Sequence, residues 1–111
     1  MLETYKGDAF RGELQAYDME TLAPTSDAAV GATAAKLAVS GKQPAVKIIA
    51  VAETQAIRYR LDGGAPSTTV GHLVAAGESF EVEGETNIKN LKIIAVTGTA
   101  GVTITFFRYQ D

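Results

Sequence analysis

From Val46 onward the chain breaks into short apolar runs, each closed by turn-forming residues at a spacing of roughly 8 to 12 residues, and no other feature constrains its fold as tightly. Strands this short bury a core only when stacked as sheets, so the pattern favours a sandwich or barrel over an α/β fold. The run Ala56 to His72, AIRYRLDGGAPSTTVGH, shows the logic most clearly. Ile57, Tyr59 and Leu61 alternate with Arg58 and Arg60, the period of two expected of a half-buried strand. Asp62-Gly63-Gly64-Ala65-Pro66 then stops it: Asp accepts backbone hydrogen bonds, Gly allows positive φ, and Pro fixes φ and cannot donate to a ladder.

Val46 to Val51 differs, because Val46 and Ile48 occupy one face while Ile49 and Val51 occupy the other. A strand of this kind is buried on both sides, within a sandwich or under a neighbouring subunit. A hairpin across Ala52-Glu53-Thr54-Gln55 is expected to join it to Ile57–Leu61. Lys36 to Val39 reads as a strand ended by Ser40–Pro44. Val70–Val74 and Ser79–Glu83 read as two short strands, with Phe80 and Val82 inward and Glu81 and Glu83 outward. Ile88 to Val96 reads as one strand, and Val102 to Phe107 closes the series with Val102, Ile104 and Phe106 inward. The hexapeptides Val46–Val51 and Leu91–Val96 are nearly identical, but their flanks do not match, so they indicate two similar central strands rather than a repeat architecture. The expected fold is all-β: a single antiparallel β-sandwich, jelly-roll-like, over residues 31–111, with an N-terminal arm over residues 1–30.

The arm is the ambiguous part. Phe10, Leu14 and Tyr17 fit helical spacing, and Phe10, Gly12, Leu14 and Ala16 fit a strand equally well. With so few large apolar side chains it forms no core of its own, and it must lie on the main domain, lie on a neighbour or stay loose. Docking on another subunit is the preferred expectation. Ala23–Asp27 reads as a linker.

At 111 residues the chain is long enough to bury a core without staples. It has no cysteine, which removes disulfides, thiolate nucleophiles and Cys-based metal sites. No apolar run approaches the roughly 18 residues of a membrane span, and Met1–Asp8 lacks the order of a signal peptide, so a soluble intracellular product is expected, with no membrane partner. Net charge is −3; the first 27 residues hold six acids against two bases, and no basic surface large enough for nucleic acid is visible.

Catalytic and metal chemistry find little support. His72 is the only histidine, so neither a His-based metal cluster nor a triad by repetition is available. Asp62, Ser67, Thr68 and His72 read better as turn formers and a structural His. Glu81, Glu83 and Glu85 lack the Asp/Asn-Gly spacing of a calcium loop and read as a solvated face. Gly41-Lys42 is followed by Gln43, and Gly98–Gly101 lies between strands, so neither is a phosphate-binding loop. No enzyme, cofactor or metal is expected. Arg58 and Arg60 on one face can clamp a carboxylate or phosphate of a partner, though cross-strand pairing with Glu competes. If Ile49, Ile94, Phe107 and Tyr109 share the outer face, they form an apolar patch that a monomer does not normally leave in water. The candidate interface is therefore Phe10, Leu14, Tyr17, Ile49, Arg58, Arg60, Ile94, Phe107 and Tyr109.

The run Ile57 to Leu73, followed by Ala76-Gly77-Glu78, Asn90–Ala95 and Val102–Phe107, resembles small structural proteins of tailed bacteriophages and prophages. In these an arginine-containing strand runs into Asp-Gly-x-x-Pro-Thr, then Gly-His, a strand of Asn, an aromatic or Leu, any residue and Ile, and a Thr-rich strand ending in an aromatic. The likeness covers about residues 33 to 108, with Ser67 where the pattern more often has Thr. It implies a β-sandwich virion component, a head-associated building block such as a capsid decoration protein. Such a protein is expected in the virion after assembly in the host cytoplasm, as a homo-oligomer, a trimer among the options, contacting other virion proteins such as the major capsid protein. The resemblance carries over no active site. The rival is a carbohydrate-binding sandwich of a phage tail or secreted protein, weakened by the absence of Trp, since sugar platforms rely on exposed aromatics.

Overall fold

The computed structural model describes residues 13–110. In chain order the elements are β1 (Leu14–Leu22), a one-turn helix α1 (Ala34–Leu37), β2 (Lys47–Ala52), β3 (Ile57–Arg60), β4 (His72–Val74), β5 (Ser79–Glu83), a short helix α2 (Glu85–Asn90), β6 (Lys92–Ala95) and β7 (Val102–Tyr109). The protein is all-β, with two antiparallel sheets of strand order β1-β7-β2-β5 and β4-β3-β6.

One hydrophobic core lies between the sheets, and the period-two pattern decides which residues enter it. Ile48, Ala50 and Ala52 of β2 point inward and lie opposite Phe106, Ile104 and Val102 of β7. On the other side of β2, Ile48 and Ala50 face Val82 and Phe80. Alanine at position 50 leaves room between two larger neighbours, which is how facing layers reach native packing density. The three-stranded sheet contributes Ile57, Val74, Ile93 and Ala95. Tyr59 bridges the layers, its ring stacked on Phe80 with centroids 4.2 Å apart and planes 9° apart. Each fully buried side chain of this size contributes roughly 1.5–3 kcal/mol by leaving water.

Four expectations change. Residues 14–22 lie on the main domain, where β1 pairs with β7 of its own chain from Leu14↔Tyr109 to Leu22↔Val102, interrupted by a bulge at Ala16/Asp18. Expected strand Lys36–Val39 is instead entered by α1, in a stretch rich in alanine, the best helix former. Glu20 of β1 anchors it, accepting the Thr33 backbone N–H at 2.9 Å and the Thr33 hydroxyl at 2.6 Å. The first half of the expected strand Ile88–Val96 is α2, because Ile88 and Leu91, both fully buried, sit three apart on one helical face, after a turn at Gly84 with φ 101°. Finally, residues 53–56 carry the chain from one sheet to the other, so β2 and β3 do not form a hairpin. Two isolated bridges complete the layers: Val30 pairs with Ile93 beside β6, and Thr25 pairs with Thr99.

Candidate functional site

Two surfaces carry the predicted residues. The first is the connection from β3 to β4, the segment that looked most like a site in the sequence. Arg58 and Arg60 both turn away from the core, but each is used inside the chain. Arg58 donates from Nε to the Thr68 carbonyl at 3.1 Å and from Nη1 to the Gly71 carbonyl at 2.9 Å. Arg60 makes a two-pronged ion pair with Asp62, Nε to Oδ1 at 3.0 Å and Nη2 to Oδ2 at 2.6 Å, and reaches the Ala65 carbonyl at 3.3 Å. Asp62 Oδ1 also accepts the Gly64 N–H at 3.1 Å. The Arg60 hydrogen bond, helped by the Gly64 N–H, holds the Asp62 carboxyl at about 2, and the same bond raises the Arg60 guanidinium.

Two glycines fit into this packing, and the backbone conformation at the second favours glycine. A Cβ at Gly64 would stand 2.6 Å from Arg60 Nη2, so the backbone lies flat against the guanidinium. Gly71, at φ +130°, would place a Cβ 3.0 Å from the Tyr59 carbonyl and 3.2 Å from Pro66, which is itself buried. Ser67 closes the tip by accepting the backbone N–H groups of Thr69 and Val70. The loop is thus ordered by its own polar groups. Beside it lies a cleft of about 680 Å³ between the loop and α2, lined by Arg60, Leu61, Asp62, Val70, His72 and Asn87 among others. His72 sits at its edge with its ring tilted against Tyr59 at 5.2 Å.

The second surface is the outer face of the four-stranded sheet. Alternation and register put Ile49 and Val51 of β2, Phe107 and Tyr109 of β7 and Leu14 of β1 on this side, all half-buried, with Met19 more exposed at 55%. Lys47 lies among them, 5.9 Å above the Phe107 ring and 3.5 Å from Glu81. At one end, Leu14, Val46, Lys47, Glu83 and Tyr109 line a depression of about 380 Å³.

Of the candidate interface residues, this face gathers Leu14, Ile49, Phe107 and Tyr109. Phe10 lies outside the described residues. Tyr17 turns inward, its ring 6.3 Å from Phe106, beneath the Arg108 guanidinium at 4.1 Å, and its hydroxyl donates to the Lys36 carbonyl at 2.5 Å. Burial raises the Tyr17 hydroxyl, with Arg108 opposing. Ile94 belongs to the other sheet and is 6% exposed, beside Arg58 on the neighbouring strand, so it does not join the patch of Ile49 and Phe107. Arg58 and Arg60 hold the loop. Glu81 and Glu85 pair with Lys47 and Lys89, at 3.5 Å and 3.6 Å.

Sequence reasoning missed Asp62 as the partner of Arg60, although two residues apart on one strand side is a legible signal. Asp18 was also missed: it pairs with Lys36 at 2.9 Å, which together with the Met19 N–H lowers its carboxyl. No local signal marks a contact between residues so far apart in the chain. No protein-family model, curated protein or solved structure matches this chain.

Proposed function

We propose that this protein is an assembly subunit of the tailed-phage virion, head-associated and of the capsid-decoration kind, acting through protein–protein contacts. The observation that carries the contact mode is the outer face of the four-stranded sheet. Leu14, Ile49, Val51, Phe107 and Tyr109 lie half-buried on this one face, interleaved with Lys47, Thr103 and Thr105, with Glu81 beside Ile49. Aromatic and aliphatic centres with charged rims are the composition of protein interfaces. The resemblance of residues 33–108 to virion structural proteins supports the virion assignment.

Strand order adds weight. Counting the Val30 bridge as the second of eight strands, the sheets run 1-8-3-6 and 2-7-4-5 in chain order. Counted this way, the order is like the double Greek key of jelly rolls, an architecture shared by viral capsid and lectin domains. It does not choose between those functions; the apolar residues of the outer face favour the interface reading, since an interface needs an apolar centre.

Static light scattering over a concentration series tests the reading. The wild type should assemble into a discrete oligomer, and Phe107→Asp or Ile49→Asp should give a monomer with little change in melting temperature. A wild-type protein that stays monomeric at the highest attainable concentration, and that fails to bind phage capsid shells, overturns it.

A further inference from the structure

We infer that the cleft between the 61–72 loop and α2 is a binding site for a neutral, polyhydroxylated ligand of the saccharide class. This inference does not rest on the outer sheet face and is independent of the assembly reading. The cleft volume of about 680 Å³ falls within the roughly 300–1,000 Å³ typical of small-molecule sites.

Its walls are fixed in advance. Arg58 ties the loop to β3 through two backbone carbonyls, Arg60 and Asp62 lock the turn, and Ser67 closes the tip. A loop ordered before binding loses little conformational freedom when a ligand arrives.

The ligand class follows from the hydrogen-bonding groups left over. Arg60 uses three of its guanidinium N–H groups within the loop, out of the five a guanidinium carries. Asp62 accepts three bonds, two at Oδ1 and one at Oδ2, out of about four that a carboxylate offers. The pair therefore presents donors and an acceptor side by side at zero net charge. An anion is opposed by Asp62, and a cation is opposed by Arg60. A hydroxyl, which donates and accepts at once, matches both. Asn87, whose amide donates to the Glu83 carbonyl at 2.9 Å, adds a neutral polar wall, and Leu61 and Val70 supply apolar surface for the C–H faces of a sugar ring. Val70 is 54% exposed, which places that surface in reach of solvent ligands.

The test is a titration of 15N-labelled protein with methyl glucoside, methyl galactoside, methyl mannoside and N-acetylglucosamine, with inorganic phosphate and acetate as separate arms, read by amide chemical shifts. At least one sugar should give saturable shifts confined to residues 60–72 and 84–90. Asn87→Ala and Asp62→Asn should each weaken that binding by about tenfold, the loss of one to two hydrogen bonds. Unchanged amide shifts elsewhere in Asn87→Ala will show that the fold is kept. No saturable sugar response, saturation by phosphate or acetate instead, or sugar binding indifferent to both variants overturns the inference.

Discussion

Lys47-Ile48-Ile49-Ala50 and Lys92-Ile93-Ile94-Ala95 are the same four residues, and the protein uses one in each of its two sheets. In both strands the first isoleucine and the alanine enter the core and are fully buried. The second isoleucine separates them. Ile49 lies half-buried on the open side of the four-stranded sheet, whereas Ile94 is 6% exposed, on the same side as Arg58, whose guanidinium is tied to the 61–72 loop. Identical local sequence thus acquires one open face or none, depending on what the rest of the chain lays over it. The comparison also separates the two surfaces: one sheet leaves its outer side open, and the other carries an ordered loop and cleft over it.

The largest effects should fall where the two tetrapeptides agree. Ile48→Ala and Ile93→Ala each remove a fully buried side chain and should destabilise by about 2–5 kcal/mol in urea denaturation; a markedly smaller loss at either would show that its layer relaxes into the gap. The next measurement attacks the difference. Ile94→Ala should cost about 2 kcal/mol and Ile49→Ala below about 1 kcal/mol in dilute solution. If the two costs are equal in dilute protein the comparison fails, while a cost at Ile49 that grows with protein concentration would mean that another copy covers it.

Arg58→Ala should come next, at about 1–2 kcal/mol, because it strands the Thr68 and Gly71 carbonyls. Faster hydrogen exchange over residues 66–73, with that of β2 and β7 unchanged, is the accompanying signature. Loss of self-association without loop opening would instead return Arg58 to the partner-facing role its sequence suggested.

The smallest effect concerns pH. The folded Asp62 carboxyl titrates near 2, below an unfolded value of about 3.9. A lowered folded value means that the contribution is complete above about pH 4, declines between about pH 4 and 2, and is gone below that. An NMR titration of the Asp62 side chain should give a midpoint near 2 in the wild type, moving up toward about 4 in Arg60→Ala; a midpoint unmoved by that variant would deny the ion pair.

Much of the four-stranded sheet was legible in the sequence. Alternation alone places Phe80, Val82, Val102, Ile104 and Phe106 inward, and all are buried. What could not be read was which strand lies beside which. The step from β2 to β3 is as short as a hairpin, yet the chain changes sheets there, because pairing is decided by core contacts far away in sequence. The same limit hid α1, anchored by Glu20 and Asp18, and kept β1 ambiguous. At the site, the turn from Asp62 to Pro66 is legible in the sequence, but the role of the two arginines is not. Their alternation says only that they share a side, and the backbone carbonyls they reach carry no residue-type signal.

The position of β7 has a consequence for how the protein is made. β7 lies between β1 and β2, and β1 has no other strand partner among the described residues. A ribosome delivers the strand at the middle of that sheet last, so β1 must wait, unpaired, through some eighty residues of synthesis. Closing so long a loop is slow, and chains dominated by such pairings typically fold in roughly milliseconds to seconds. During that interval the acidic side chains of Asp18 and Glu20 make β1 a poor template for a neighbouring nascent chain.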